Sequence, residues 1–169
     1  METVIVDAGP LVAYLKKDVQ YHGWVAERFQ HLRAPMLSCD AVLSEAFFRL
    51  SRPHGGTRQL LALLERGLGV PAFDLRGELA TVSQLLLRYE NVSMSLADAC
   101  LVRMAELRTG ASVFTLDSDF EIYRKNRRQI IPLITALNRR LVRRTDSDRS
   151  WHILLLVLVY TVFLLERWQ

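Results

Sequence analysis

Cysteine is scarce in this chain, with two among 169 residues. Cys39 and Cys100 are far apart and lie in apolar stretches, which excludes a disulfide framework and a zinc site and predicts that both pack as small hydrophobic residues in a reducing cytosol. The apolar run between Glu2 and Asp7 is too short for a signal peptide. We therefore expect a cytoplasmic protein with one hydrophobic core.

Histidine is also scarce, and the four present form no metal-binding set. His22 and His54 stand near a helix start and a glycine-rich turn, where a lone histidine is more often structural than catalytic. Without histidine or cysteine ligands, a metal would be held by oxygen atoms, which favours Mg²⁺ or Mn²⁺ over zinc.

Acidic residues, in contrast, follow or interrupt apolar segments at widely separated positions. Asp7 closes the run at residues 4–6, and Asp117 follows the run at residues 112–116. Both runs predict strands of a parallel sheet that is buried on both faces. Ligands bind at the carboxyl ends of such strands, so we expect these two aspartates to face one crevice.

Two further acids lie in segments with helical periodicity. Glu45 belongs to a helix for which Asp40 is the predicted N-cap, and Asp98 lies close to the apolar stripe of another helix. Carboxylates that share a site raise one another's pKa unless a cation neutralises them. Any one of these acids alone fits a cap, a turn or a solvated face. Together they predict a divalent metal site, made of Asp7, Glu45, Asp98 and Asp117.

Other carboxylate sites of α/β proteins fit less well. A phosphatase of the haloacid dehalogenase type needs a second aspartate two residues after the first, where this chain has Gly9. A receiver domain needs an acidic pair and a lysine that the chain lacks. A metal held by carboxylates can activate water and stabilise charge that develops on phosphoryl oxygens.

Strands and helices alternate along the chain. The pattern predicts helices over 10–16, 21–32, 40–51, 57–66, 75–89 and 96–105, and strands over 4–6, 36–38, 70–73, 112–116 and 130–134. Pro132 limits the last strand to a sheet edge. The fold class is α/β, a three-layer α/β/α sandwich with a central, mainly parallel sheet.

The segments that carry the acids resemble the four motifs of PIN-domain ribonucleases, and in particular the VapC toxins of bacterial toxin–antitoxin pairs. The segments are residues 4–15, 38–45, 96–99 and 115–120. The resemblance covers about residues 3–135. It implies a Mg²⁺- or Mn²⁺-dependent endoribonuclease with the four acids as its catalytic quartet and Asp119 as an auxiliary metal ligand. It also implies an RNA substrate, a cognate antitoxin and a homodimer.

Two other functions stay open. One is a PIN nuclease of RNA maturation or decay that has no antitoxin. The other is a PIN-like module that binds RNA or a protein without cutting, which the presence of all four acids disfavours.

The charge balance indicates where RNA would bind. Residues 1–137 carry 16 basic against 15 acidic side chains, so the surface is basic once four acids surround a cation. Candidate phosphate contacts are Arg49, Arg52, Arg124, Lys125, Arg127 and Arg128. A solvated turn is the alternative for residues 124–128.

The resemblance ends before the C-terminal segment, so we predict a nuclease domain at 1–137 and a basic linker with an apolar helix at 138–169. The apolar run 153–165 is shorter than the ~20 residues of a spanning helix. Trp151 and Trp168 flank it as interfacial residues would. Membrane contact through 151–168 is one expectation, and a partner-binding segment or an extension without function are the others.

Overall fold

The computed structural model describes residues 3–52 and 55–136. They belong to one compact unit that ends at residue 137. The predicted linker, apolar helix and membrane contact of residues 138–169 lie outside the described residues. Within the described ranges, no helix combines the length and apolar character needed to cross a bilayer.

A five-stranded parallel sheet forms the centre of the described unit. Its strands are β1 (Val4–Val6), β2 (Met36–Ser38), β3 (Leu68–Pro71), β4 (Ser112–Phe114) and β7 (Leu133–Ile134). They stand in the order β3-β2-β1-β4-β7, and every neighbouring pair is parallel. Between β4 and β7 the chain forms a two-stranded antiparallel ribbon of β5 (Arg124–Lys125) and β6 (Gln129–Ile130).

Helices connect the strands. In the described residues these are α1 (Ala8–Leu15), α2 (His22–His31), α3 (Asp40–Leu50), α4 (Gly56–Glu65), α5 (Leu75–Arg88) and α6 (Leu96–Leu107). Short 3₁₀ helices span Glu90–Val92 and Ser118–Glu121. After α6, Gly110 turns the chain toward β4 with a φ of 78°, a conformation that costs glycine little.

Both faces of the sheet are covered. Every side chain of β1 and of β4 is buried, and successive side chains of a strand point to opposite faces. The sheet therefore lies inside the molecule, as all-parallel sheets do. The predicted α/β fold with a central parallel sheet is confirmed.

The direction of strand order reverses between β1 and β4. From β1 the chain adds β2 and β3 on one side, whereas β4 and β7 lie on the other. Val6 stands beside Phe114 in the register, and the Asp7 N–H donates to the Phe114 carbonyl at 3.0 Å. The carboxyl ends of β1 and β4 thus form the switch point at which open α/β sheets bind ligands.

Three local predictions were wrong. The predicted strand 130–134 is two strands, β6 and β7, although β7 does form the sheet edge. The strand predicted at 70–73 lies two residues earlier, at β3. Asp40 is not an N-cap, because Cys39 holds that position and Asp40 is the first residue of α3.

Candidate active site

Asp7 is a buried acid at the switch point. It leaves β1 and caps the N-terminus of α1, where its Oδ1 accepts the Ala8 N–H at 2.6 Å. Its Oδ2 accepts the Thr115 hydroxyl at 2.8 Å. Burial raises the pKa of Asp7 to about 7, and the charges of Asp98 and Glu45 add to the rise, while the bonds from Thr115 and Ala8 oppose it. Asp7 is thus held in one orientation but resists ionisation.

Asp98 reaches the same region from the first turn of α6. Its Oδ2 accepts the Ser95 N–H at 2.9 Å, and its own N–H donates to the Ser95 Oγ at 3.0 Å. This reciprocal pair is a capping box, which fixes the carboxylate at the positive end of the helix. Burial nevertheless raises the pKa of Asp98 to about 6, with further contributions from the charges of Asp117 and Glu45, against the Ser95 hydrogen bonds.

Asp117 lies on the loop that follows β4. Its Oδ1 accepts the Asp119 N–H at 2.8 Å and so caps the 3₁₀ helix Ser118–Glu121. The Asp117 N–H donates to the Thr115 Oγ1 at 2.9 Å. Thr115 therefore links two predicted site residues, because the same oxygen donates to Asp7 and accepts from Asp117.

Glu45, like Asp117, is exposed. It lies on α3 with 46% of its side chain exposed, and Arg49 approaches its Oε1 at 3.4 Å. An exposed pair of this kind contributes little to stability. Glu45 belongs to the site through its charge, which raises the pKa of both Asp7 and Asp98.

The predicted site residues thus converge from distant parts of the chain. Electrostatic interactions join Asp7 to Asp98 and Glu45, and they join Asp98 to Asp117 and Glu45. Asp119 is half-buried, and its charge acts together with those of Asp98 and Asp117 on the phenol of Tyr123. Within residues 3–52 and 55–136, no three acidic, histidine or cysteine side chains approach closely enough to hold a metal ion together. The assignment of the five acids as metal ligands stays a prediction.

Sequence reasoning missed two residues of this region. Ser95 has a readable signal, since serine followed three residues later by an acid before an apolar run marks a capping box. Tyr123 has none, because its relation to Asp98 depends on how the loop after β4 packs against α6.

The candidate phosphate contacts differ in whether their side chains already make hydrogen bonds or ion pairs within the protein. The Arg124 guanidinium donates to the carbonyls of Glu121, Ile122 and Tyr123 at 2.7 to 3.0 Å, so it stabilises its own loop. Arg127 and Arg128 are exposed at the turn of the β5–β6 ribbon. The three ion pairs found in the described residues involve neither of them.

Both cysteines are buried and free, and the prediction that they pack as hydrophobic residues is confirmed. Cys39 directly precedes α3 and Cys100 lies on α6, two elements that also carry Glu45 and Asp98. Their thiols interact with each other inside the core.

No curated protein matches this chain. Its sequence does match the family model described as PIN domain, over residues 4–126. This range contains all five acids, extends from β1 into the β5–β6 ribbon, and covers well over half of the 169 residues. PIN domains are typically nucleases. The chain belongs to the PIN domain family.

Proposed function

We propose that the protein is a metal-dependent endoribonuclease and that it is the toxin of a toxin–antitoxin pair. The observation that carries the nuclease site is the electrostatic conflict at the switch point. Asp7 and Asp98, brought within range of each other and of Glu45 and Asp117, both have raised pKa values. Membership of the PIN domain family supports the same conclusion.

The donor chemistry of the site fits Mg²⁺ or Mn²⁺. The acids offer only carboxylate oxygens, the ligands that hard cations prefer. Repulsion among carboxylates is relieved when a divalent ion neutralises them. Asp7, Asp98 and Asp117 would hold the ion, with Asp119 as an auxiliary ligand. When bound, the ion would make water nucleophilic near neutral pH and stabilise charge on the phosphoryl oxygens.

The protein's own groups orient the carboxylates for this task. Thr115 and the Ala8 N–H fix both oxygens of Asp7, and Ser95 fixes Asp98. Glu45 is exposed, so it can contact substrate or orient the attacking water without first being uncovered. In this arrangement the buried Asp7, the half-buried Asp98 and the exposed Asp117 would hold the ion, and Glu45 would act at the RNA.

The β5–β6 ribbon is the proposed RNA-binding element. Its turn is attached to α6, since the Asn126 N–H donates to the Glu106 Oε1 at 2.8 Å. Glu106 is itself paired with Arg103 at 3.0 Å. The turn that carries Arg127 and Arg128 is therefore anchored to α6 and follows the loop of Asp117 and Asp119, so that these arginines can contact phosphates without reading sequence.

Divalent cation removal is the direct test of the nuclease. We expect the full chain to cut labelled RNA with Mg²⁺ or Mn²⁺, to stop in excess EDTA, and to recover when Mn²⁺ is restored in excess. Cleavage sites mapped on total RNA would then give the substrate class. Undiminished cutting in EDTA would contradict metal dependence, and RNA binding without any cutting would favour the binding module.

The RNA-binding ribbon predicts a salt-dependent defect. Arg127→Ala combined with Arg128→Ala should weaken RNA binding roughly tenfold and reduce the slope of log affinity against log salt by about 1.4, the value for two phosphate contacts on a single strand. Fluorescence anisotropy with a catalytically inactive background measures both. The matched control is Arg58→Ala with Arg66→Ala, two exposed arginines at the ends of α4. If both double variants lose the same RNA affinity, the loss reflects the change in net charge and not a contact made by the ribbon.

The toxin role is supported by the resemblance of the four motifs to VapC toxins. Expression of the full chain is expected to arrest growth, and a small partner encoded by an adjacent gene is expected to relieve the arrest. Light scattering tests the proposed homodimer in the same preparations. RNA cleavage without growth arrest would instead assign the protein to RNA maturation or decay.

A further inference from the structure

The hydroxyl of Tyr123 is a buried polar group without a hydrogen-bond partner among the described residues. The side chain is 0% exposed, and it is among the largest fully buried side chains of the core. Buried hydroxyls are normally hydrogen-bonded, because an unsatisfied donor loses its interaction with water and gains nothing in return. This exception lies on the loop that also carries Asp117 and Asp119.

The position of the hydroxyl is fixed by the packing of the ring. Tyr89 and Phe120 contact the Tyr123 ring edge-on, with centroids 5.2 and 5.3 Å away. The Tyr123 N–H also donates to the Asp119 carbonyl at 3.2 Å. Since the phenolic oxygen lies on the axis of the ring, a ring flip leaves it in the same place. The hydroxyl therefore cannot find a partner by rotating.

The charges that act on this phenol come from acids of the candidate active site. Burial raises the pKa of Tyr123, and the charges of Asp98, Asp119 and Asp117 raise it further, with a smaller contribution from Tyr89. The phenol thus stays protonated and offers a hydrogen to be donated. None of these three carboxylates is hydrogen-bonded to the hydroxyl.

A small group between the hydroxyl and the carboxylates of Asp98 and Asp117 would accept a hydrogen bond from the phenol and donate to these acids in turn. A phenylalanine would fill the same space without an unsatisfied donor, so packing alone does not explain a tyrosine here. Water is the smallest group that accepts one hydrogen bond from a phenol and donates two to carboxylates.

We propose that Tyr123 is a positioning residue of the active site, whose hydroxyl donates to a water molecule that in turn donates to the carboxylates of Asp98 and Asp117 and so orients them for a divalent cation. This inference rests on the proposed nuclease function. The Tyr123 hydroxyl would be a buried, neutral hydrogen-bond donor on the loop after β4. It would act by orienting the acids and would not touch the substrate.

Tyr123→Phe tests the proposal, because it removes only the oxygen. In EDTA the melting temperature of the variant should stay within about 5 °C of the wild-type value, because only one water-mediated hydrogen bond is lost and the packing of the ring is unchanged. Its affinity for Mn²⁺ alone, measured by titration with electron paramagnetic resonance detection, should fall about 10- to 100-fold, as for other residues that orient metal ligands. In cleavage assays at saturating RNA and subsaturating Mn²⁺, kcat should fall with little change in KM for RNA.

Tyr89→Phe is the matched control. The Tyr89 hydroxyl accepts the Arg124 N–H at 3.0 Å, so it already has a partner in the protein. We expect Tyr89→Phe to lower the melting temperature slightly and to leave Mn²⁺ affinity within twofold of wild type. A common loss of affinity in both variants would reflect disturbed aromatic packing and would overturn the proposal.

The outcomes also separate this inference from the proposed function. If the wild-type protein binds Mn²⁺ and cuts RNA while Tyr123→Phe does both equally well, the positioning role is wrong and the nuclease stands. If the wild-type protein neither binds Mn²⁺ nor cuts RNA, both fail together. Weaker Mn²⁺ binding with little change in the melting temperature in EDTA supports the role assigned to the hydroxyl, whereas a clearly higher melting temperature would show that the hydroxyl has no water partner and would overturn it.

Discussion

Replacing Asp7 by asparagine is expected to lower the rate of RNA cleavage by roughly 10³-fold or more. The amide oxygen of asparagine can still accept the Ala8 N–H that now reaches the Asp7 Oδ1 at 2.6 Å, so the helix cap survives. The negative charge does not, and the most deeply buried ligand of the proposed metal site is lost. Initial rates on a fluorescent RNA in saturating Mn²⁺, together with a circular dichroism spectrum, measure the effect on a folded protein.

Asp40→Asn is the control for this loss. Asp40 is likewise an acid at a helix N-terminus, but it is exposed and lies outside the predicted quartet. The variant makes the same change in net charge, and its rate should stay within about twofold of wild type. If Asp7→Asn cleaves RNA at the wild-type rate, Asp7 is not part of the active site. If both variants lose the same cleavage rate, the loss reflects only the change in net charge.

The location of the site could be predicted because its signals are local. A short apolar run followed by an acid predicted both the strand and the strand-end carboxylate at Asp7, and the helical period placed Glu45 and Asp98 on helices. The properties that follow from packing could not be predicted. Thr115 bridges Asp7 and Asp117 only because Val6 and Phe114 are in register. The pKa of Asp7 depends on burial that no neighbouring residue in the sequence indicates.

The errors in the fold have a similar origin. The strand β3 begins at Leu68 because Gly69, with a φ of 108°, forms a bulge opposite the irregular register between Met36 and Leu37. An isolated glycine inside a strand pattern is a signal for such a bulge. The last predicted strand is divided because Gln129 and Ile130 pair with β5 to form the antiparallel ribbon, whereas Leu133 and Ile134 pair with β4. A continuous apolar run cannot show which partner each of its halves pairs with.

The cap of α3 was misplaced by one residue for a different reason. The first helical hydrogen bond runs from the Leu43 N–H to the Cys39 carbonyl, at 3.0 Å. Asp40 therefore lies inside the first turn, where its charge still favours the positive end of the helix. An acid at an N-cap and an acid one residue later give the same sequence pattern, so only the backbone distinguishes them.

Asp7→Asn is also expected to stabilise the metal-free protein above neutral pH. Folding raises the pKa of Asp7 from 3.8 to about 7, so the folded protein binds more protons than the unfolded chain between these values. The contribution of Asp7 to stability is therefore complete below about pH 4 and is lost as the pH rises through 7. A difference of roughly three pKa units corresponds to about 4 kcal/mol. Because asparagine does not ionise, the variant escapes this loss.

Thermal unfolding in EDTA at a series of pH values measures this effect, and Mn²⁺ reverses its sign. At pH 8 without metal, Asp7→Asn should melt about 10 °C above the wild-type protein, and the two should converge near pH 4. With saturating Mn²⁺ the wild-type protein should gain most, because the ion binds its folded carboxylates. A variant that is less stable than wild type in EDTA at pH 8 would show that the ionised Asp7 is accommodated without a cation. A variant that is more stable than wild type without metal, yet cleaves RNA far more slowly, would instead show that the Asp7 carboxylate destabilises the metal-free fold and is required for the reaction.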